Sequence, residues 1–103
     1  MFAWALTLSV ATLVPTSSAR ANEELARKHA CLACHAVDKK VLGPAFLDVA
    51  ARYAKTPAAV DVIARNIRNG VKGSWGDMTM PAQPQLSEAD ATALARWVLS
   101  TAP

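Results

Sequence analysis

Residues 31–35 read CLACH, a C-x-x-C-H motif in which three of the five side chains can react or bind a metal. Two thiols three positions apart, followed at once by a histidine, are the attachment signal of a c-type haem. Cys31 and Cys34 can each form a thioether with one vinyl-derived carbon of the porphyrin. His35 then lies under the iron, where an imidazole nitrogen can bind it. The motif therefore predicts one covalent haem with His35 as an axial ligand.

Two other uses of a C-x-x-C pair are weaker in this chain. A thiol–disulfide oxidoreductase needs a thioredoxin-like strand–helix context, which the sequence lacks. A zinc site needs further ligands, but the chain has two cysteines and, besides His35, one histidine, His29. His29 lies two residues before Cys31 at a predicted helix end, so we expect an ordinary polar residue there and not a second axial ligand.

A second axial ligand is expected from the segment between Gly70 and Ser87, which reads VKGSWGDMTMPAQPQL. A structureless loop of this length in a small domain is uncommon and usually functional. It contains Met78 and Met80, whose thioether sulfurs are soft ligands that raise the potential of haem iron. Pro81 restricts the backbone directly after Met80. The residues alone do not decide which of the two methionines is the second axial ligand.

The elements that must position these groups read as short helices, with no strand pattern. Asn22 (followed by Glu23 and Glu24), Thr56 (followed by Pro57) and Ser87 are suited to N-cap positions, and Gly70 to a helix end. We expect four helices, over residues 22–29, 46–53, 57–69 and 88–100. The helix over residues 46–53 is indicated by an apolar face at helical spacing. The last helix carries a predicted buried stripe of Leu94, Trp97 and Val98.

The N-terminus has the layout of an export signal. Residues 2–14 form an uncharged apolar run, about 20 Å long as a helix and thus short of a ~30 Å hydrocarbon core. Pro15, a small polar stretch and the A-x-A pattern of residues 19–21 follow. We predict a cleavable signal peptide over residues 1–21, cut after Ala21, and one exported domain over residues 22–103 in the periplasm. The segment departs from the signal-peptide pattern in one respect, because no basic residue precedes the apolar run. An uncleaved membrane anchor is the alternative interpretation.

Length and composition exclude several classes of protein. The chain has 103 residues, two cysteines and a net charge of +3. Two cysteines exclude a disulfide-rich scaffold and a four-cysteine metal site, and the modest charge does not favour a nucleic-acid-binding surface. A domain this small usually needs an additional stabilising element, which a covalent haem supplies.

Five segments, in this order, resemble the class I cytochromes c of the small bacterial cytochrome c-551 (cytochrome c8) type: CLACH, VLGPAF, NIRNG, GSWGDMTMP and LARWVLS. The resemblance implies an all-α cytochrome c fold, with four short helices around one covalently attached haem. It also implies that Met80 is the distal ligand and that Met78 is not. Pro44 matches a proline whose carbonyl accepts a hydrogen bond from the ligand histidine, and Trp75 a tryptophan whose indole N–H bonds a haem propionate.

Two positions depart from the family pattern. Asn66 stands where an arginine often pairs with a propionate, and the adjacent Arg65 would point about 100° away on a helix. Gln83 stands where an asparagine often bonds the ligand sulfur. Both changes bear on the tuning of the potential.

The function expected from His/Met ligation is electron transfer, because no open position remains on the iron. We expect a monomeric, soluble periplasmic shuttle, and not an enzyme, between a quinol-oxidising cytochrome complex and a terminal reductase (such as a nitrite reductase) or oxidase. The mature protein would not span the membrane or bind nucleic acid. A haem enzyme or small-ligand sensor with a displaceable methionine is the alternative, and a subunit of a larger complex is a third possibility.

Charged residues suggest how a partner would be recognised. Lys39 and Lys40 follow the motif closely and are predicted to rim the haem edge, with Lys72 and Arg27 further out. A partner with an acidic patch would then dock here, and the electron-transfer rate would fall with salt.

Overall fold

The structure, a computed structural model, describes residues 1–12 and 18–103. Residues 1–12 have no regular secondary structure, and the side chains of Phe2, Trp4 and Leu6 are more than nine-tenths exposed. The end of the predicted apolar run and the Pro15 that follows it lie in residues 13–17, outside the described part. Among the described residues, no helix is long and apolar enough to cross a membrane.

The described chain forms four α-helices, one short 3₁₀ turn and one β-hairpin. In chain order these are α1 (Ser18–Lys28), the 3₁₀ turn (Cys31–Ala33), α2 (Phe46–Tyr53), α3 (Ala59–Asn69), β1 (Val71–Gly73), β2 (Gly76–Met80) and α4 (Glu88–Ser100). The predicted α2 and α4 are confirmed. Ser87 caps α4 as expected, since its Oγ accepts a hydrogen bond from the Asp90 N–H at 3.1 Å. The all-α class is confirmed, with the hairpin as an exception.

Two predicted helix starts are wrong. α1 begins at Ser18, so Asn22 is not its N-cap and no acidic residue lies in its first turn. Residues 18–21 contain no helix breaker, and they extend the helix in the N-terminal direction.

The cap predicted at Thr56 is also wrong. The Thr56 N–H bonds the Tyr53 carbonyl at 3.0 Å, in the turn that follows α2. Ala58 then takes a left-handed conformation (φ +54°), so α3 begins only at Ala59. The helix ends at Asn69, and Gly70 follows with a positive φ, as expected, although its ψ of 168° is extended and not left-handed.

The prediction that the chain has no strands is wrong for the segment after Gly70. β1 and β2 pair antiparallel, Val71 with Met80 and Gly73 with Gly76. The register shifts between these two pairs, so that three residues of β2, 77–79, lie opposite Lys72 alone. Strands this short, with an irregular register, show no alternating pattern in the sequence.

The core lies around α4, which packs against α1, α2 and α3. The predicted stripe of Leu94, Trp97 and Val98 is buried, as expected. One cluster joins this stripe to Phe46 of α2, and the other joins α4 to Ile63 and Ala64 of α3. α4 therefore holds the elements on which the predicted haem site depends.

Candidate haem-binding site

One cavity of about 480 Å³ brings all six predicted site residues together. Its walls come from the 3₁₀ turn, the segment before α2, the helices and the hairpin, and most of its lining side chains are apolar. The predicted site residues in its wall are Cys31, Cys34, His35, Pro44, Trp75 and Met80. Two thiols can attach a porphyrin through thioether bonds, and an imidazole and a methionine thioether can bind its iron. The residues present therefore fit the predicted group.

The two cysteines are presented by a tight turn just after α1. Ala30 adopts a left-handed conformation (φ +57°), which reverses the chain at the helix end. The His35 N–H then bonds the Cys31 carbonyl at 3.0 Å. Both cysteines are half-buried, and no disulfide joins them. Burial raises the pKa of the Cys31 thiol, and the neighbouring Cys34 adds to that rise, against a backbone hydrogen bond that lowers it.

The imidazole of His35 is held on two sides. Its Nδ1 lies 2.7 Å from the carbonyl oxygen of Pro44. A carbonyl can only accept, so Nδ1 carries the proton and Nε2 is left as the nitrogen available to a metal. The ring also stacks on Phe46, with centroids 4.9 Å apart and an interplanar angle of 22°.

Gly43 is a site residue that sequence reasoning missed. A Cβ at this position would lie 2.6 Å from Cε1 of His35, closer than real Cβ contacts allow. Its N–H also donates to the Cys34 carbonyl at 2.7 Å. The only signal in the sequence was a glycine directly before the proline that contacts His35. Glycine is needed here for close approach to the ring and not for its φ angle.

Met78 and Met80 both line the cavity but differ in exposure. The Met80 side chain is half-buried, whereas Met78 is 54% exposed. The backbone is anchored at Met80 and directly after it. A Cβ at Gly70 would lie 2.7 Å from the Met80 carbonyl oxygen, and the Gln83 N–H bonds the carbonyls of Ile67 and Arg68.

Trp75, at the hairpin turn, is half-buried and lines the cavity. The guanidinium carbon of Arg52, from α2, lies 3.8 Å from the ring centroid of Trp75. Arg52 also donates from Nη1 to the Ser74 carbonyl at 2.6 Å. Sequence reasoning missed Arg52, because nothing in the sequence places α2 beside a turn more than twenty residues away.

The two positions that depart from the family pattern also line the cavity. Asn66 faces it, while Arg65 lies at a separate surface cleft with Asp61 and Glu88, as the helical rotation predicts. The side-chain amide of Gln83 is used locally: it donates to the Pro81 carbonyl at 3.3 Å and accepts from Gln85 at 2.8 Å. His29 is half-buried and lines the same cavity.

Comparison with known proteins agrees with this arrangement. Residues 17–98 match the family model described as "Cytochrome C oxidase, cbb3-type, subunit III". The chain is 43% identical to cytochrome c-552 of Nitrosomonas europaea, over 95% of each chain. It is 46% identical to cytochrome c-552 of Hydrogenobacter thermophilus, over 78% of this chain and 81% of that one. The crystal structure of wild-type Nitrosomonas europaea cytochrome c552 superposes with a TM-score of 0.75 at 46% identity, covering 77% of this chain and 98% of that one.

A mostly helical fold with a C-x-x-C-H turn facing an apolar cavity defines a class I cytochrome c. The chain belongs to the family of small bacterial cytochromes c-551 and c-552. It is thus a small electron-transfer cytochrome with one covalently bound haem c, and its two cysteines are those available for the thioether bonds.

Proposed function

We propose that this protein is a soluble periplasmic electron shuttle whose haem iron is bound by His35 and Met80. The observation that carries the proposal is the cavity, which both side chains line together with Cys31 and Cys34. A haem supplies one-electron chemistry when bound. Two protein ligands leave no position for a substrate, so the function that fits is electron transfer through the haem edge and not catalysis.

The surrounding residues favour rapid transfer. Pro44 and Phe46 hold the His35 ring in one orientation, so little rearrangement accompanies a change in oxidation state. The apolar lining of the cavity disfavours the additional positive charge of ferric iron, which raises the potential. The Trp75 indole N–H is proposed to bond a propionate, since the ring lines the cavity and an N–H in such a position needs a partner.

The localisation rests on the proposed signal peptide, residues 1–21. Its described apolar side chains are exposed and add nothing to the core. We expect the intact mass and N-terminal sequence of the exported protein to show that the chain begins at Asn22. A periplasmic protein that retains residues 1–21 would support the membrane anchor instead.

The surface around the cavity suits partners with acidic patches. Lys40 lines the cavity, and Lys39 and Lys72 are exposed. Arg27 contributes less, because it pairs with Glu23 at 3.0 Å. We propose that a monomer docks through this surface on a quinol-oxidising complex as donor and on a terminal reductase or oxidase as acceptor. Transfer rates that do not fall between low and physiological salt would contradict an electrostatic docking surface.

Absorption spectroscopy tests the ligand assignment. The haem should survive acid–acetone extraction and give a c-type pyridine haemochrome. The ferric protein should show the weak far-red band of sulfur-ligated iron, lost in Met80→Ala and kept in Met78→Leu, the matched control on the same strand. A band lost in Met78→Leu alone would overturn the choice of Met80. Ready binding of carbon monoxide by the reduced native protein would favour the enzyme or sensor alternative.

A further inference from the structure

We propose that Arg52 is a positioning residue that holds the tip of the Met80-bearing hairpin against α2, and so limits how often the Met80 thioether leaves the iron. We call the hairpin, residues 71–80, the strap. The inference rests on the proposed ligation by Met80. It concerns a residue that contacts the opposite end of the strap from Met80 and that precedes the strap by about twenty positions in the sequence.

The base of the strap is held by backbone contacts. Val71 pairs with Met80 at the end of the ladder. Directly after it, the Gln83 N–H donates to the carbonyls of Ile67 (3.1 Å) and Arg68 (3.2 Å), at the end of α3. These hydrogen bonds hold the backbone at the base of the strap, but they do not hold the Met80 side chain, whose thioether can leave the iron while the base stays in place.

Among the described residues, no backbone hydrogen bond joins the tip of the strap to another element. A Cβ built on Gly73 or Gly76, the residues on either side of the turn, would meet nothing within 4 Å. These two glycines are therefore not packed against another part of the protein in the direction of a side chain. Besides the propionate bond proposed for Trp75, the Arg52 side chain joins the tip to α2: it covers the Trp75 ring at 3.8 Å and donates to the Ser74 carbonyl at 2.6 Å.

The shape of the strap makes this contact matter for Met80. Its middle residues, 77–79, lie opposite Lys72 alone and are exposed, so they give little resistance to bending. When the tip is free, residues 77–79 can bend, and the chain that leads into Met80 bends with them. Both contacts of Arg52 are made by a planar, permanently charged group, which can stack and donate a hydrogen bond at the same time.

The test is imidazole binding by the ferric holoprotein, because imidazole reaches the iron only after the sulfur leaves. In Arg52→Met we expect the association rate to rise about tenfold, the equivalent of about 1.4 kcal/mol. Arg65→Met is the matched control, since it removes the same charge from an exposed arginine that does not line the cavity. The far-red band should persist in both variants at rest. Equal rates in the two variants would overturn the proposal.

A second measurement separates this proposal from the ligand assignment. Amide hydrogen exchange in the reduced holoprotein should be faster over residues 71–80 in Arg52→Met, and unchanged in α4. If the native protein lacks the far-red band, ligation by Met80 fails, while the exchange result still decides whether Arg52 holds the strap.

If Arg52→Met does not acquire haem, Arg52→Lys replaces it as the test variant. The point charge of a lysine cannot stack in the same way, so we expect a smaller, several-fold rise in the imidazole association rate. A rate in Arg52→Lys equal to the native rate would then contradict the proposal.

Discussion

The two proposed iron ligands are held in different ways. His35 is fixed from within the core: Pro44 accepts its Nδ1–H, and Phe46 stacks on its ring and in turn meets Trp97 edge-on at 5.2 Å. Met80 lies at the end of a short hairpin, whose base is held by backbone hydrogen bonds and whose tip contacts the exposed Arg52.

The difference indicates which ligand can exchange. Displacing His35 would disturb side chains that are 5–8% exposed, so it is coupled to unfolding of the core. Displacing Met80 requires only a movement of the strap, much of which is exposed. Regions with few buried apolar contacts open at lower free energy than the core. We therefore expect changes on the His35 side to cost global stability, and changes on the Met80 side to alter local opening.

The largest effect is expected for Phe46→Ala, on the His35 side. Phe46 is 5% exposed and links the His35 ring to Trp97. Its removal should lower the free energy of unfolding of the holoprotein by about 3–5 kcal/mol. Urea unfolding followed by haem absorbance measures this, with Val41→Ala, at an exposed position, as the control. A loss below 1 kcal/mol would show that His35 does not depend on the core in this way.

The next effect is expected for Gly43→Ala. The new methyl group would lie 2.6 Å from Cε1 of His35, so the ring or the loop must shift. Overpacking of this kind costs about 1–3 kcal/mol. The His35 ring resonances in the NMR spectrum of the reduced protein should move as well. Unchanged ring shifts together with native stability would mean that the loop yields freely, contrary to the tight positioning described above.

A smaller effect is expected for Gly76→Ala, on the Met80 side. The position has open space but a φ of +95°, so the cost is backbone strain alone, about 1–2 kcal/mol. Amide hydrogen exchange should become faster over residues 71–80, while the His35 ring resonances stay in place. A shift of the His35 resonances as large as that in Gly43→Ala would remove the distinction between the two sides.

Sequence reasoning succeeded where the determinants are local. The apolar spacing of α2 and the Ser87 cap of α4 are properties of a few neighbouring residues, and both are present. Sequence reasoning failed where the backbone adopted a different conformation from the predicted one. Thr56 had a suitable side chain for a cap, but its backbone N–H was already used in the turn after α2. The hairpin was missed because its strands are too short and too irregular in register to show a period.

The chemistry of the site was determined by the sequence alone, because thiol, thiol and imidazole lie within five consecutive residues. The tertiary structure decided how each ligand is held. It placed Gly43 against His35 and Arg52 over Trp75, and it left Met80 half-buried but Met78 exposed. Contacts of this kind depend on how helices and the hairpin pack around α4. They join residues that are far apart in the chain, and spacing along the sequence does not encode the distances between such residues.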